Sequence, residues 1–592
     1  MKAAGRLQDR RATLSAATCT ALALVAAAIT ILASARTIPA VLHGTLFDPD
    51  SYMRLVRIRQ GFAAGHLVNI VLGDDSGHPL VVEWSRLFDA VIVALAAPLA
   101  PFIGWTRALF AAGVATGPLS AGLLAVGLAF AASPLTGGRW IWAPAIIAPL
   151  LPGIRSFNVV GIVHYHIAQV ALTAIAIGCT LRAGAGDRRM AWAAGLWGGL
   201  AIWMMPETMP FVVLGFGALG YLWLFRRLGF ILVRIGAGFA ATLWFALWID
   251  PPHGGMLTPE IDRLSIVYAM LGLAIATSCA GLAWLDRYAP ETRRASLGLI
   301  GATCVFAVWL AAYPEVALGP YGLIPAKAMH IFFGSINEDQ PTDTLALAAS
   351  RLGPALLGLG YILHRFWRCR HLPAFAGIWL IAAVGLTLAA GLTARMMIFQ
   401  QYPAAFAAGL APVALHDISA RFASTPRRAA TLRLGLVWLP VVLAYVPALA
   451  LAAGRNATPG NQERCSLRAA SALLAPATGR IVLTDPSLVP ELLYRTRVIG
   501  VGSLYHHGLR AFMRDWKAWR TPAGVAEPAA VRATGAAFVL FCRADGAHSA
   551  LGHGAADDAL WPLLTSGQTP SWLQPLGHAG GYRLYRIRIS AR

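Results

Sequence analysis

Two aspartates and three arginines crowd into "TLFDPDSYMRLVRIRQG" (45–61), directly after the first long apolar run. Asp48 and Asp50 could accept a proton or hold a cation. Arg54 and Arg57, three apart on one helical face, could pair with a lipid or donor phosphate. The pattern equally suits a wet interfacial loop, with Asp48 a turn residue before Pro49 and the arginines anchoring at headgroup level. Two further segments carry reactive side chains. "LLPGIRSFNVVGIVHYHIAQ" (150–169) sets His164 and His166 on either side of Tyr165, pointing the same way if the backbone is extended. They could ligate a metal with Asp48 and Glu338, hydrogen-bond a phosphate without metal, or sit at a helix end near the membrane interface. Imidazole suits manganese or zinc better than magnesium. "FGSINEDQPT" (333–342) carries Glu338, and "TARMMIFQQYP" (393–403) carries Arg395, a charge beside an apolar run that needs a partner. Glu207 in "MMPETMP", Asp262 and Asp89 are weaker candidates for lining or supporting such a site.

The elements that must position these groups are membrane helices. The chain has 592 residues, 57% hydrophobic and 13% charged, with mean hydropathy +0.61. That composition excludes an ordinary soluble domain. The net charge of +21 does not read as a nucleic-acid face, because the arginines fall in short clusters between apolar runs, at 5–11, 186–190, 225–227, 291–294, 364–371 and 424–428. About thirteen spans are expected at roughly 20 residues each. They run from 13–35, read as an uncleaved signal anchor, to 433–453, with 139–154 among them. The stretch 87–104 begins at "WSRLFD" and contains prolines, which reads as an interfacial or re-entrant helix. An odd count with a cytoplasmic N-terminus puts every arginine cluster on the inside. The outside then receives long loops at 36–106 and 314–344 and the tail from 454.

The tail differs in kind. Strand-like runs at 480–485, 536–542 and 582–589 alternate with helical and turn segments, a small mixed α/β domain. Of seven cysteines, Cys465 and Cys542 fall in this tail and could pair if it is extracytoplasmic, although sequence leaves their separation open.

At Phe47, Asp48 and Pro49, at Pro152, Gly153 and Gly161, at Ser335, Glu338, Gln340 and Pro341, and at Arg395, the chain resembles the glycosyltransferase C superfamily, in particular the membrane catalytic subunit of oligosaccharyltransferase. The resemblance covers about 40–415. It implies a catalytic centre that includes Asp48 and Glu338, and a lipid phosphate held by Arg395. The sequence departs from that family in two places. His164 and His166 stand where a second acidic motif is expected, and the tail lacks the tryptophan-aspartate signature that holds an asparagine acceptor.

The resulting expectation is a polytopic α-helical membrane protein with a glycosyltransferase C-like domain over 1–453 and an extracytoplasmic α/β domain over 454–592. It would move a sugar from a polyprenyl-phosphate or diphosphate donor to a glycan, lipid or protein acceptor, in a bacterial inner membrane with the tail periplasmic. Asp48 and Glu338 would be catalytic, and Asp50, Arg54, Arg57 and Arg395 would bind substrate. His164 and His166 would hold a divalent cation, manganese or magnesium, with a metal-free mechanism equally open. A transporter of a lipid-linked saccharide and a non-catalytic scaffold are the rival readings.

Overall fold

The computed structural model describes residues 14–322, 324–422, 424–454, 465–543 and 551–588. The basic cluster expected at 5–11, the first residues of the tail and the end of the strand-like run at 589 lie outside them. The chain divides into two compact units, one of residues 1–39, 114–323 and 341–455, the other of 40–113, 324–340 and 456–592.

The first unit is helical. Among the described residues, nine helices of the chain are long and apolar enough to cross a membrane, from Ala16–Ala33 to the span Arg427–Pro447. Their outward side chains include Leu24, Leu32, Phe230 and Val308, all well exposed. Such a surface is at home against lipid rather than water. Fewer helices meet that test than the thirteen expected, for identifiable reasons. Arg188–Met204 and Met209–Trp223 form as expected but have 17 and 15 residues. The expected span 139–154 is not one helix. It breaks into Ala143–Ile147, a 3₁₀ turn Ala148–Leu150 and Pro152–Arg155. Pro144, Pro149 and Pro152 each remove a backbone donor there. The stretch 87–104 is a 10-residue helix, Leu87–Ala96, followed by Ala100–Ile103, which agrees with a segment that does not span. The loop after Gly229–Ile249 is tied by Arg263, whose guanidinium donates to Asp250 at 2.8 Å while Trp203 Nε1 donates to the other oxygen at 3.0 Å.

The second unit gathers the two long loops with the tail. A short hairpin pairs β1 (Ile70–Val71) with β2 (Leu80–Val81). The tail forms a five-stranded sheet of β3 (Ile481–Leu483), β4 (Ile499–Gly500), β5 (Phe538–Cys542), β6 (Leu573–Ala579) and β7 (Tyr582–Ile587) in the order β4-β3-β5-β7-β6. The β3 pairings are parallel and the β7 pairings antiparallel. β5 is buried on both faces. Phe538, Leu540 and Cys542 pack into one apolar cluster, Val539 and Phe541 into another, the period-two alternation of a central strand. A disulfide joins Cys465 to Cys542, the pairing that the sequence left open.

Candidate active site

Five of the residues singled out by sequence, Asp48, Asp50, Arg54, Arg57 and Glu338, lie in the second unit, and His164, His166 and Arg395 lie in the first.

In the second unit the helix Pro49–Ala64 begins at an ideal signal. Asp48 is its N-cap and Pro49 its first residue, and Gly65 closes it at φ 78°. The Asp48 carboxylate receives the Ser51 N–H at 2.7 Å and the Ser51 hydroxyl at 2.6 Å. Asp50, in the first turn, accepts the Tyr505 hydroxyl at 2.8 Å. Tyr505 comes from the tail, is buried, and stands edge-on to Trp84 with ring centres 5.3 Å apart. Its hydroxyl is pushed well above its usual range by burial and by Asp50, Glu83 and Asp48.

The loop 324–340 adds two acids. Glu338 and Asp339 share a 3₁₀ turn, Asn337–Asp339. Gln340 closes it by donating to the carbonyls of Phe333 and Ile336. Glu338 is half-buried. Asp339 is 8% exposed, and its Oδ1 has no hydrogen-bond partner. Burial, then the Asp50 and Glu83 charges, push its carboxyl up to about 7 against the pull of His506. His506 Nδ1 lies 3.8 Å from Glu83 Oε1. Asp50, Glu83, Asp339, Tyr505 and His506 therefore form one electrostatically coupled cluster, built from the first loop, the second loop and the tail. Sequence reasoning missed Asp339, Glu83, Tyr505 and His506. "YHHG" (505–508) lacks metal-ligand spacing, and only the position of Asp339 next to Glu338 offered a signal.

Arg54 and Arg57 do not open onto a groove. Arg54 Nη1 donates to Asp89 Oδ1 at 2.8 Å and Arg57 Nε to Asp89 Oδ2 at 2.7 Å, with all three side chains at most 1% exposed. Arg57 also donates to the carbonyls of Trp84 and Ser85. The expected phosphate ligands are thus a buried clamp between the helix Pro49–Ala64 and the helix Leu87–Ala96, with Asp89 as its centre. The expected phosphate role does not fit because both guanidinium groups are buried and already share the Asp89 carboxylate.

In the first unit, Gly153 lies against the backbone of Gln400 with no room for a Cβ, and Gly161 turns at φ +103°. The chain then delivers His164 from the loop and His166 at the start of the helix His166–Gly184. Their Nδ1 atoms are 3.2 Å apart and both rings are buried, His166 stacked on Phe157 and Tyr165. The rings meet although Tyr165 between them is in helical rather than extended backbone, so their meeting comes from the entry into the helix and not from strand alternation. This separation fits two imidazoles sharing one proton, and equally two nitrogens at about 2.0–2.1 Å from a tetrahedral metal. Arg395 ends the helix Pro373–Arg395, exposed, and joins no ion pair among the described residues. Glu207 accepts hydrogen bonds from Gln169, Tyr402 and Gln401. Tyr402 also lines an apolar cavity of about 340 Å³ walled by Leu128, Phe211, Ile378 and Phe406.

No sequence-family model matches the chain, and no curated protein matches it. Solved structures do. The archaeal oligosaccharyltransferase AglB from Archaeoglobus fulgidus, in complex with an inhibitory peptide and a dolichol-phosphate, superposes with TM-score 0.65 at 12% identity, over 94% of this chain and 72% of that one. The chain has a glycosyltransferase C-like fold. The same archaeal enzyme with Zn and sulfate gives TM-score 0.61 at 13% identity, over 96% and 73% of the two chains. The form tethered to an acceptor peptide containing the NVT sequon gives 0.59 at 13%, over 96% and 74%. With nine apolar helices of spanning length among the described residues, the chain is an integral membrane protein.

Proposed function

We propose that the protein transfers a sugar from a polyprenyl-phosphate or polyprenyl-diphosphate donor to an acceptor hydroxyl on the outer face of a bacterial inner membrane. The observation that carries this reading is the coupled cluster of Asp50, Glu83, Asp339, Tyr505 and His506, in a chain whose fold is shared with lipid-linked glycan transferases. In the reaction the acceptor oxygen bonds to the anomeric carbon with inversion, and the bond from that carbon to the phosphate oxygen breaks. The acceptor proton passes to a carboxylate, and the lipid phosphate leaves as an anion.

Asp339 is suited to take the proton, since a carboxyl near 7 exchanges protons at neutral pH. Asp48, fixed by both Ser51 donors, suits orienting the acceptor and stabilising developing charge better than releasing a proton. Glu338, in the same 3₁₀ turn as Asp339, would supply a second carboxylate from this loop. Arg395, by the family resemblance, is the residue that would neutralise a lipid phosphate. His164 and His166 are the residues that would hold a divalent cation, zinc or manganese by donor type, and such a cation would polarise the phosphate oxygen. The apolar cavity offers room for part of the polyprenyl chain. A transporter of lipid-linked saccharide would use the cavity equally, but it has no need of a coupled acid cluster outside the spans.

The test is turnover in nanodiscs with a panel of polyprenyl-phospho-sugars. Wild type should consume one donor, and Asp339→Asn and Asp48→Asn should each lose at least about a hundredfold. EDTA should abolish turnover only if the two histidines hold a metal. A protein that binds a donor without consuming it would leave the transporter or scaffold reading.

A further inference from the structure

We propose that Arg155, Ser156, Arg351 and Tyr445 form an anion subsite that takes the phosphate of a membrane-anchored lipid, separate from Arg395. Arg155 Nη2 donates to the Ala33 carbonyl at 2.8 Å, at the end of the helix Ala16–Ala33, and its Nη1 to the Tyr445 hydroxyl at 3.3 Å. Arg351 Nη1 donates to Ser156 Oγ at 3.3 Å, while Ser156 Oγ gives its own proton to the Pro152 carbonyl. Arg351 Nε is buried without a hydrogen-bond partner. Two guanidinium groups 196 residues apart in sequence thus meet around Tyr445, which accepts from Arg155 and interacts with Arg351, while Arg351 also donates to Ser156.

Among the described residues neither Arg155 nor Arg351 joins an ion pair, whereas in the same unit Arg263 pairs with Asp250, Arg294 with Asp286 and Arg365 with Asp417. Two partly desolvated cations side by side repel, and a membrane-embedded pair of this kind calls for an anion from outside the chain. The donor pattern, planar forks with a hydroxyl between them, matches phosphate oxygens.

The depth points to a lipid as the carrier. The helices Leu345–Cys369 and Pro373–Arg395 are joined by a three-residue turn and run antiparallel, and Thr342 N–H donates to the Ala394 carbonyl at 3.1 Å. Arg351 therefore lies about 9 Å inside the end of the bundle that carries Arg395, at 1.5 Å per residue. A lipid headgroup reaches that level, with its chains running on along the apolar helix surfaces. A polyprenyl phosphate and an anionic phospholipid offer the same phosphate chemistry. The subsite stands whether or not the chain proves to be a glycosyltransferase.

The test uses the full chain. Lipid co-purified with it is identified by mass spectrometry, and binding of polyprenyl phosphate, phosphatidylglycerol and uncharged polyprenol is measured in nanodiscs. Arg351→Gln and Arg155→Gln should each weaken one of the two phosphate lipids at least tenfold and leave polyprenol unchanged. Loss of polyprenyl phosphate makes the occupant the donor or its product, and loss of phosphatidylglycerol makes it a resident phospholipid. If Arg351→Gln does not fold, Arg351→Lys and Tyr445→Phe serve, each expected to weaken the same lipid severalfold. Variants that keep the wild-type melting midpoint and bind all three lipids as wild type does would overturn the proposal.

Discussion

Beside the glutamate that the loop motif marks stands an aspartate that no motif marks. Asp339 is buried, and its folded value is raised from 3.8 to about 7. Between those limits the folded chain holds a proton that the unfolded chain has lost. The favourable contribution is complete below about pH 4 and lost as pH rises through about 7. Above that, the buried charge costs stability. Asp339→Asn should therefore be more stable than wild type at pH 8, by on the order of 4 kcal/mol, and about equal at pH 4 in denaturant unfolding. The same variant should lose turnover, together with the rise in wild-type rate through pH 7. A residue with only a structural role would not separate stability from activity in this way. Asp89 tests the opposite case. Asp89→Asn takes the carboxylate that two buried guanidinium groups share, which should cost about 3–5 kcal/mol in the melting of the second unit. If Arg54 and Arg57 instead bound lipid phosphate, Asp89→Asn would leave stability near wild type and change only donor affinity.

At the scale of elements, most helices were legible because apolar length alone selects them, and the N-cap at Asp48 with Pro49 could be read directly. What failed did so for local reasons. The run 139–154 is apolar enough to span, but its prolines break it. β6 carries Pro575 and a register shift between Pro575 and Gly577, which hides it from a strand pattern. The side chains that complete the acid cluster were illegible for another reason. Glu83, Asp339 and His506 are far apart in sequence, and their meeting depends on the tail sheet. The disulfide holds the start of that tail to β5 across a separation of 77 residues. Replacing both cysteines by serine should destabilise the second unit by about 2–4 kcal/mol, seen as an earlier unfolding step in non-reducing calorimetry that matches the reduced wild type. An unchanged first step would mean that the five strands hold without the cross-link.

The whole molecule makes its sharpest claim through the way the second unit is assembled. Residues 40–113 and 324–340 fold with 456–592 rather than each forming a loop on its own. The tail holds the first loop at several points. Arg495 donates to the Gly44 carbonyl and to the Tyr52 hydroxyl, each at 3.0 Å. Tyr505 fixes Asp50, Ser503 donates to Asp74, and Arg514 reaches Asp75 at 3.2 Å. Phe512 packs edge-on against Phe332 of the second loop, ring centres 5.2 Å apart. A chain stopped at residue 455 would keep Asp48, Glu338, His164, His166 and Arg395, every residue the sequence motifs mark. It would lose the partners that order the two loops. Such a truncation should insert in the membrane, show no turnover, and become open to protease within 40–86, where the full chain resists. Full turnover from the truncated chain would reduce the tail to an appendage that presents the acceptor. The two outcomes differ in physical cause, since an appendage contributes binding while a scaffold contributes the geometry of the acids themselves.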